Sequence, residues 1–213
     1  MVEILLMVSV NGLYYYLSDM KSYPLYNWYC NLISDLTNCF AHDPVHGISH
    51  SLNCSLFAFL LSNQLQLDNT STKILVLSAL YHDVGRSKSE IGKTHAEIGS
   101  ILIYDILNHL NHKILVQIAQ LIELHDVRNS LLKYLNISSM DLLVLLRDID
   151  SLDYLRLGLN VFNPAYINTP DAKLLIRTSL ELNILLFSCN VDFLELIIGD
   201  RYETVDEKCY LSS

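Results

Sequence analysis

Apolar residues recur along most of the chain at the spacing of amphipathic helices. Between Trp28 and Phe40 they fall three or four positions apart, and the same period runs from Ile48 to Leu60. Residues 72–82 are apolar around the whole circumference of a helix, which is typical of a helix buried at the centre of a bundle. The pattern predicts an all-α fold, a single compact helical bundle.

Residues that begin or end helices divide this pattern into segments. The sequence T-x-x-E that starts at Thr94 fits a capping box and predicts the beginning of a helix. Gly85 stands where a left-handed helix cap would fall, and Gly158 follows a predicted helix over 140–157. The stretch 159–168 has no period, which predicts a loop over a site.

The composition is that of a folded helical chain. Of the 213 residues, 51% are hydrophobic and 17% are charged, so the chain can bury a large core and is not disordered. Seven glycines and four prolines provide few turns, which argues against a many-stranded sandwich or barrel. The length predicts one domain over residues 1–213.

The charge balance limits the partners that the protein can bind. Fourteen basic and 23 acidic residues give a formal net charge of −9, which argues against binding a nucleic acid duplex or an anionic membrane through a basic surface. The sequence contains no run of about 18 apolar residues, so no transmembrane helix is predicted. Five widely spaced cysteines predict free thiols and a cytoplasmic location. The mean hydropathy of +0.29 is compatible with an interface between copies in a homo-oligomer.

The eight histidines are unevenly distributed, because all of them lie between His42 and His125. His46 and His50 are four positions apart and share a helix face. At the end of the most apolar helix stand His82 and Asp83. Such residues are expensive to bury unless they are hydrogen-bonded, paired or bound to a metal.

Other polar residues lie at helix positions from which they could reach a common pocket. His95 stands near the start of the capped helix, His125 at the end of the next helix, and Asp150 within an apolar helix. Imidazole nitrogens with one or two carboxylates suit Zn, Mn, Fe or Co, which predicts a metal site. The remaining histidines fit no such pattern and are predicted to lie on the surface: His42, His109 and His112.

Three segments in this order are similar to motifs of the HD-domain metal-dependent phosphohydrolase superfamily. His46-Gly-Ile-Ser-His50 resembles the first-helix motif, Leu80-Tyr-His-Asp-Val-Gly-Arg86 the central motif, and Asp148-Ile-Asp-Ser-Leu-Asp153 the fifth-helix motif. The resemblance covers roughly residues 40–160, an HD-like metal-binding core. Residues 161–213 are expected to add C-terminal helices that complete the bundle.

The resemblance implies a divalent metal cofactor, with one or two ions of Mn, Co, Ni, Zn, Mg or Fe. It assigns the first ion to four residues: His50, His82, Asp83 and Asp150. Asp83 could bridge to a second ion, and His95 and His125 match, by order alone, the extra histidines of two-metal members. Both metal and phosphate stay open as the ligand of these two histidines.

The resemblance also implies catalytic roles. Asp83 would belong to the reacting centre, and Arg86, in place of the usual Lys, would hold a phosphate together with His95. His46 matches a position that acts as a general acid in one branch of the superfamily. A metal-activated water would then attack phosphorus.

The function implied is a metal-dependent phosphoric ester hydrolase that cleaves a nucleotide or another small phosphometabolite. Two alternatives stay open. One is a di-iron oxygenase of the HD type, because the six candidate ligands have the residue types that a pair of iron ions requires. The other is a non-catalytic HD domain that binds a ligand.

Overall fold

The structure, a computed structural model, describes residues 11–36, 46–88, 91–128, 139–188 and 193–198. Over these residues it is helical and contains no β-strand, which confirms the predicted all-α class. The α-helices in chain order are α1 (Asn11–Met20), α2 (Tyr26–Ser34), α3 (Ile48–Gln64), α4 (Asn69–Tyr81), α5 (His95–Ile106), α6 (His112–Leu124), α7 (Met140–Asp153), α8 (Pro170–Leu174), α9 (Ile176–Asn183) and α10 (Phe193–Ile198). Short 3-10 segments span Val84–Ser87, Tyr154–Leu157 and Pro164–Tyr166, and a π-helical turn spans Ile184–Ser188.

The chain divides into two compact units. One consists of residues 37–173, and in it α3 packs against α4 and α7, α4 also contacts α6, and α5 lies on α6. The other unit combines residues 1–36 with 174–213, and in it α1 contacts α9 and α2 contacts α10. The single domain predicted over 1–213, with a core over 40–160 and added helices over 161–213, stays a prediction.

Side-chain caps fix the first residues of several helices in the larger unit. Asp68 accepts hydrogen bonds from the backbone N–H groups of Thr70 and Ser71 and begins α4. The predicted capping box is present: Glu97 donates its N–H to Thr94 Oγ1, and its carboxylate accepts the N–H of Thr94. This box makes His95 the first residue of α5.

The prediction that Gly85 forms a left-handed helix cap is wrong. Gly85 lies in the 3-10 segment Val84–Ser87, and the described glycines with positive φ lie elsewhere. A Cβ at this position would lie 1.9 Å from the carbonyl oxygen of His95 and 2.6 Å from the backbone nitrogen of Gly99. Glycine is required because the backbone of this turn packs directly against the start of α5.

The predicted loop over 159–168 is present, and Gly158, with a φ of +106°, ends the helical segment before it. The buried carboxylate of Asp148 holds the far end of the loop. It accepts from the backbone and side-chain nitrogens of Asn168 at 2.7 and 2.8 Å, and from N and Oγ1 of Thr169, both at 2.7 Å. The loop is therefore tied to α7.

The surface can be compared with the expectations only where residues are described. His109 and His112 are exposed as predicted, and His42 lies outside the described residues. Of the cysteines in the described ranges, Cys30 and Cys54 are free thiols. Within those same ranges no helix is long and apolar enough to cross a membrane.

Candidate metal centre

Two histidines that directly follow helices are held by the same local contact. His82 follows α4, and its Nδ1 donates to the carbonyl oxygen of Ala79 at 2.8 Å. His125 follows α6, and its Nδ1 donates to the carbonyl oxygen of Ile122 at 2.6 Å. Because a carbonyl oxygen can only accept, Nδ1 carries the proton in both rings. The lone pair of each Nε2 is thus left for another ligand.

His50, in the first turn of α3, is oriented by a buried carboxylate. Its Nδ1 lies 2.7 Å from Oδ2 of Asp153, which is fully buried. The same carboxylate accepts from Nδ2 of Asn53 at 2.7 Å and from Nε of Arg156. With Nδ1 of His50 donating to Asp153, the Nε2 lone pair is directed to His82, whose Nε2 lies 3.1 Å away. A carboxylate behind a histidine is common at metal sites.

The carboxylate of Asp83 lies between two pairs of histidines. Its Oδ2 is 3.8 Å from Nε2 of both His50 and His82. Its Oδ1 is 3.2 Å from Nε2 of His95 and 3.8 Å from Nε2 of His125. Within each pair the two Nε2 atoms are 3.1 and 3.4 Å apart. One carboxylate therefore faces two clusters of ligand atoms. The first cluster, at Oδ2, contains His50 and His82, and the second cluster, at Oδ1, contains His95 and His125.

Asp150, in the last turn of α7, adds an oxygen to the first cluster. Its Oδ1 lies 3.3 Å from Nε2 of His50 and 3.7 Å from Nε2 of His82. Two imidazole lone pairs 3.1 Å apart repel each other unless a proton or a cation lies between them. A tetrahedral ion with bonds of about 2.0–2.1 Å holds its nitrogens about 3.3 Å apart. The donor set therefore fits a divalent ion, and the cluster could hold a metal.

Two more side chains bind the carboxylate of Asp83. Nδ1 of His46 lies 2.8 Å from Oδ2, and Nε of Arg86 lies 2.8 Å from Oδ1. The side chains of His46 and Arg86 are 22% and 32% exposed, whereas that of Asp83 is 3% exposed. Both therefore lie between the buried carboxylate and solvent.

The acidic groups of the site are held in their ionised form. Burial alone would raise the pKa of Asp83, but the hydrogen bond from His95 and nearby positive charges hold it well below its ordinary value. Burial would also raise the pKa of Asp150, but the adjacent imidazoles of His50 and His82 hold it well below its ordinary value. Both carboxylates are thus ready to bind a cation.

The buried histidines differ in their affinity for a proton. Burial lowers the pKa of His125 to about 4, so this ring is neutral at pH 7 and can bind a metal. Burial would lower the pKa of His50 as well, but its neighbours Cys54, Asp150 and Asp153 raise it well above its ordinary value. A positive charge is therefore favoured at the first cluster.

A model of the HD domain family matches residues 47–156, just over half of the chain. The chain belongs to the HD-domain family. The chain is also similar to the 1.45 Å crystal structure of a predicted HD superfamily hydrolase from an uncultured Thermotogales bacterium. The two share 21% identity, the match covers 83% of this chain and 93% of that chain, and the TM-score is 0.49. No curated protein matches the sequence.

Membership of the HD-domain family confirms the resemblance drawn from the three motifs. The structure brings the four predicted ligands of the first ion together: His50 and His82 face one oxygen of Asp83, and Asp150 lies beside both histidines. It places His95 and His125 on the other oxygen of Asp83. That these residues bind metal, and that His95 and Arg86 contact phosphate, stays a prediction.

Residues to which the sequence assigned no role surround His50 in the HD domain: Asn53, Cys54, Asp153 and Arg156. Asn53 and Cys54 follow His50 by three and four positions, so a count along the helix face could have found them. The Cys54 sulfur lies 3.6 Å from Nδ1 of His50 and is close enough to the cluster to be a candidate ligand. Burial raises the pKa of this thiol to about 12.

Proposed function

We propose that the protein is a metal-dependent phosphoric ester hydrolase that acts on a nucleotide or another small phosphometabolite. The observation that supports this most is the carboxylate of Asp83, which faces one pair of histidines with each oxygen. Divalent ions bound there would supply an activated water at neutral pH and positive charge for the phosphoryl oxygens.

The partly exposed side chains beside Asp83 would bind the phosphoryl group and transfer the proton. The guanidinium of Arg86 has five N–H donors in a planar fork, and its ion pair with Asp83, through Nε, fixes the position of the fork. His46 directs Nδ1 to Asp83, so Nε2 is the nitrogen that exchanges a proton with the substrate oxygen. Burial lowers the pKa of His46, so its ring must gain a proton before it acts as a general acid.

Phosphate release by the metal-loaded protein tests this function. Purified protein loaded with Mn²⁺, Co²⁺ or Ni²⁺ would be assayed with p-nitrophenyl phosphate, nucleoside monophosphates and sugar phosphates, and its metal content measured. We expect turnover by the wild type and a loss of at least about 100-fold in His82→Asn, which lacks a ligand. The matched control is His109→Asn, an exposed histidine outside the site, which should retain full activity.

The alternatives give different results in the same experiment. Protein that holds metal and releases phosphate from none of the esters would contradict the proposed function. Oxygen consumption by iron-loaded protein without phosphate release would favour the di-iron oxygenase. Ligand binding without any turnover would favour a non-catalytic HD domain.

We also propose that the protein is cytoplasmic and that its partner is a small phosphorylated substrate. It is not expected to bind a nucleic acid duplex or a membrane. The net charge of −9 and the free thiols Cys30 and Cys54 support this proposal. A homo-oligomer is proposed from the high mean hydropathy. Light scattering of the purified protein would measure the number of subunits.

A further inference from the structure

A cavity of about 390 Å³ opens beside the metal centre, within the unit formed by residues 37–173. His125 and Asp150 line it, so a phosphoryl group at the centre would extend its leaving group into this space. The volume lies within the range of about 300–1,000 Å³ that is typical of small-molecule sites. The cavity can therefore take more of the substrate than the phosphoryl group.

One wall of the cavity is a face of α7 and the 3-10 segment after it. Arg147, Ser151 and Tyr154 line the cavity and are four and three positions apart, on the face that also carries Asp150. Another wall is the loop 159–168. Together the two walls present hydroxyl, amide and guanidinium groups, which suit a polar leaving group.

The loop wall is held in place by α7 itself. Asn168 lines the cavity, and its backbone and side-chain nitrogens donate to the buried carboxylate of Asp148. The ring of Tyr166, from the same loop, also lines the cavity and is 67% exposed. An aromatic face is therefore available at the rim of a cavity whose two walls are tied together.

Beyond the metal ligands, the described residues that line the cavity carry one charge of each sign, on Asp126 and Arg147. Burial lowers the pKa of Arg147, and Asp126, Asp148 and Asp150 oppose this shift, so the guanidinium stays charged. A second anionic group on the substrate would meet the carboxylate of Asp126. A neutral ring with hydroxyl groups can instead donate to Asp126 and accept from Arg147.

We propose that this cavity binds the leaving group of a phosphate monoester and selects a neutral, hydroxyl-bearing ring, as in a sugar or a nucleoside, over a leaving group with a second anionic group. Asp126 accepts from the ring hydroxyls, Arg147 donates to ring oxygens, and Tyr166 covers one face of the ring. The inference rests on the proposed hydrolase function and adds the substrate class to it.

Equilibrium binding of a matched pair of sugar phosphates tests this selection independently of turnover. The Mn²⁺-loaded protein would be titrated in a calorimeter with fructose 6-phosphate, fructose 1,6-bisphosphate and inorganic phosphate, with phosphate release followed in parallel. We expect fructose 6-phosphate to bind at least about threefold more tightly than either of the other two. For the bisphosphate, this factor is the effect of one partly exposed pair of charges, the second phosphate and Asp126.

Variants of the two charged residues should shift the selection in opposite directions. Asp126→Asn should lower the ratio of the bisphosphate Kd to the monophosphate Kd by at least about threefold, and Arg147→Gln should raise it. Asp105→Asn removes an equal charge from an exposed position of α5 and should leave the ratio unchanged. Asp126 is exposed, so its variant decides the test if Arg147→Gln fails to fold.

An unchanged ratio in Asp126→Asn would overturn the inference. So would fructose 6-phosphate that binds no more tightly than inorganic phosphate, or no binding of any probe. Phosphate release by the wild type together with an unchanged ratio would refute the inference alone and leave the hydrolase standing. Selective binding without release from any ester would support the selection and contradict the hydrolase.

Discussion

Replacing Gly85 with alanine should push apart two backbone segments that the fold holds in contact. The new Cβ would lie 1.9 Å from the carbonyl oxygen of His95 and 2.6 Å from the nitrogen of Gly99. Ordinary contact begins at 3.4 Å, so the turn and the start of α5 must separate by about 1.5 Å. His95 begins that helix, and its Nε2 is now 3.2 Å from Oδ1 of Asp83. The separation would therefore open the second cluster.

The loss of stability in Gly85→Ala should be at the upper end of the range for substitutions that overpack a site. The clashing atoms belong to the backbone, which no side-chain rotation can move away, so we expect a loss of about 3 kcal/mol in the free energy of unfolding. The first cluster does not include His95 and should keep its ligands. The variant should therefore bind at most one ion if the wild type binds two.

Urea unfolding followed by circular dichroism would measure the stability, and elemental analysis would count the metal. The matched control is Gly99→Ala, where the nearest atom is a methyl carbon of the Ile122 side chain at 3.1 Å. A side chain can shift, so this control should cost less than about 1 kcal/mol. A Gly85→Ala protein as stable as the control would refute the reasoning.

Three other changes follow from buried polar groups. Asp153→Asn should weaken metal binding by about 10–100-fold, because His50 loses its carboxylate partner; a competing chelator measures this, and unchanged affinity would contradict it. Asp148→Asn should speed proteolysis within 159–168 with metal affinity kept within about twofold, and an equally resistant loop would show that Asp148 does not hold it. In metal-free protein, His125 is protonated in the unfolded chain before it is protonated in the folded protein as the pH falls, because folding lowers its pKa from 6.5 to about 4. Lowering the pH across that range should cost about 3 kcal/mol, and the same loss in His125→Gln would contradict this.

Three of the candidate metal ligands could be predicted because each is a polar residue at a place where the helix pattern is otherwise apolar. His82 and Asp83 follow a helix that is buried from Ile74 to Tyr81, and Asp150 interrupts an apolar segment. Burying such groups is costly without a partner. Their order along the chain then led to the family, and the structure brings them together with His50.

The carboxylate that orients His50 could not be predicted, because this contact joins positions far apart in the sequence. Asp153 contacts His50 across 103 positions, and nothing near either residue indicates the pairing. Gly85 was misassigned for a similar reason: the backbone that excludes a side chain there belongs to a helix that begins ten residues later. Local signals of helix ends do not reveal such approaches.

The ligands of the first cluster come from three separate helix ends, and His50 and Asp150 are about 100 residues apart in the chain. An ion that joins them would close a loop of that length and act as a cross-link. In the chain-entropy model, closing a loop of about 100 residues stabilises a fold by up to about 4.7 kcal/mol. Metal supply would then control how much of the chain is folded as well as its activity, and starving a cell of metal would lower the amount of the protein itself.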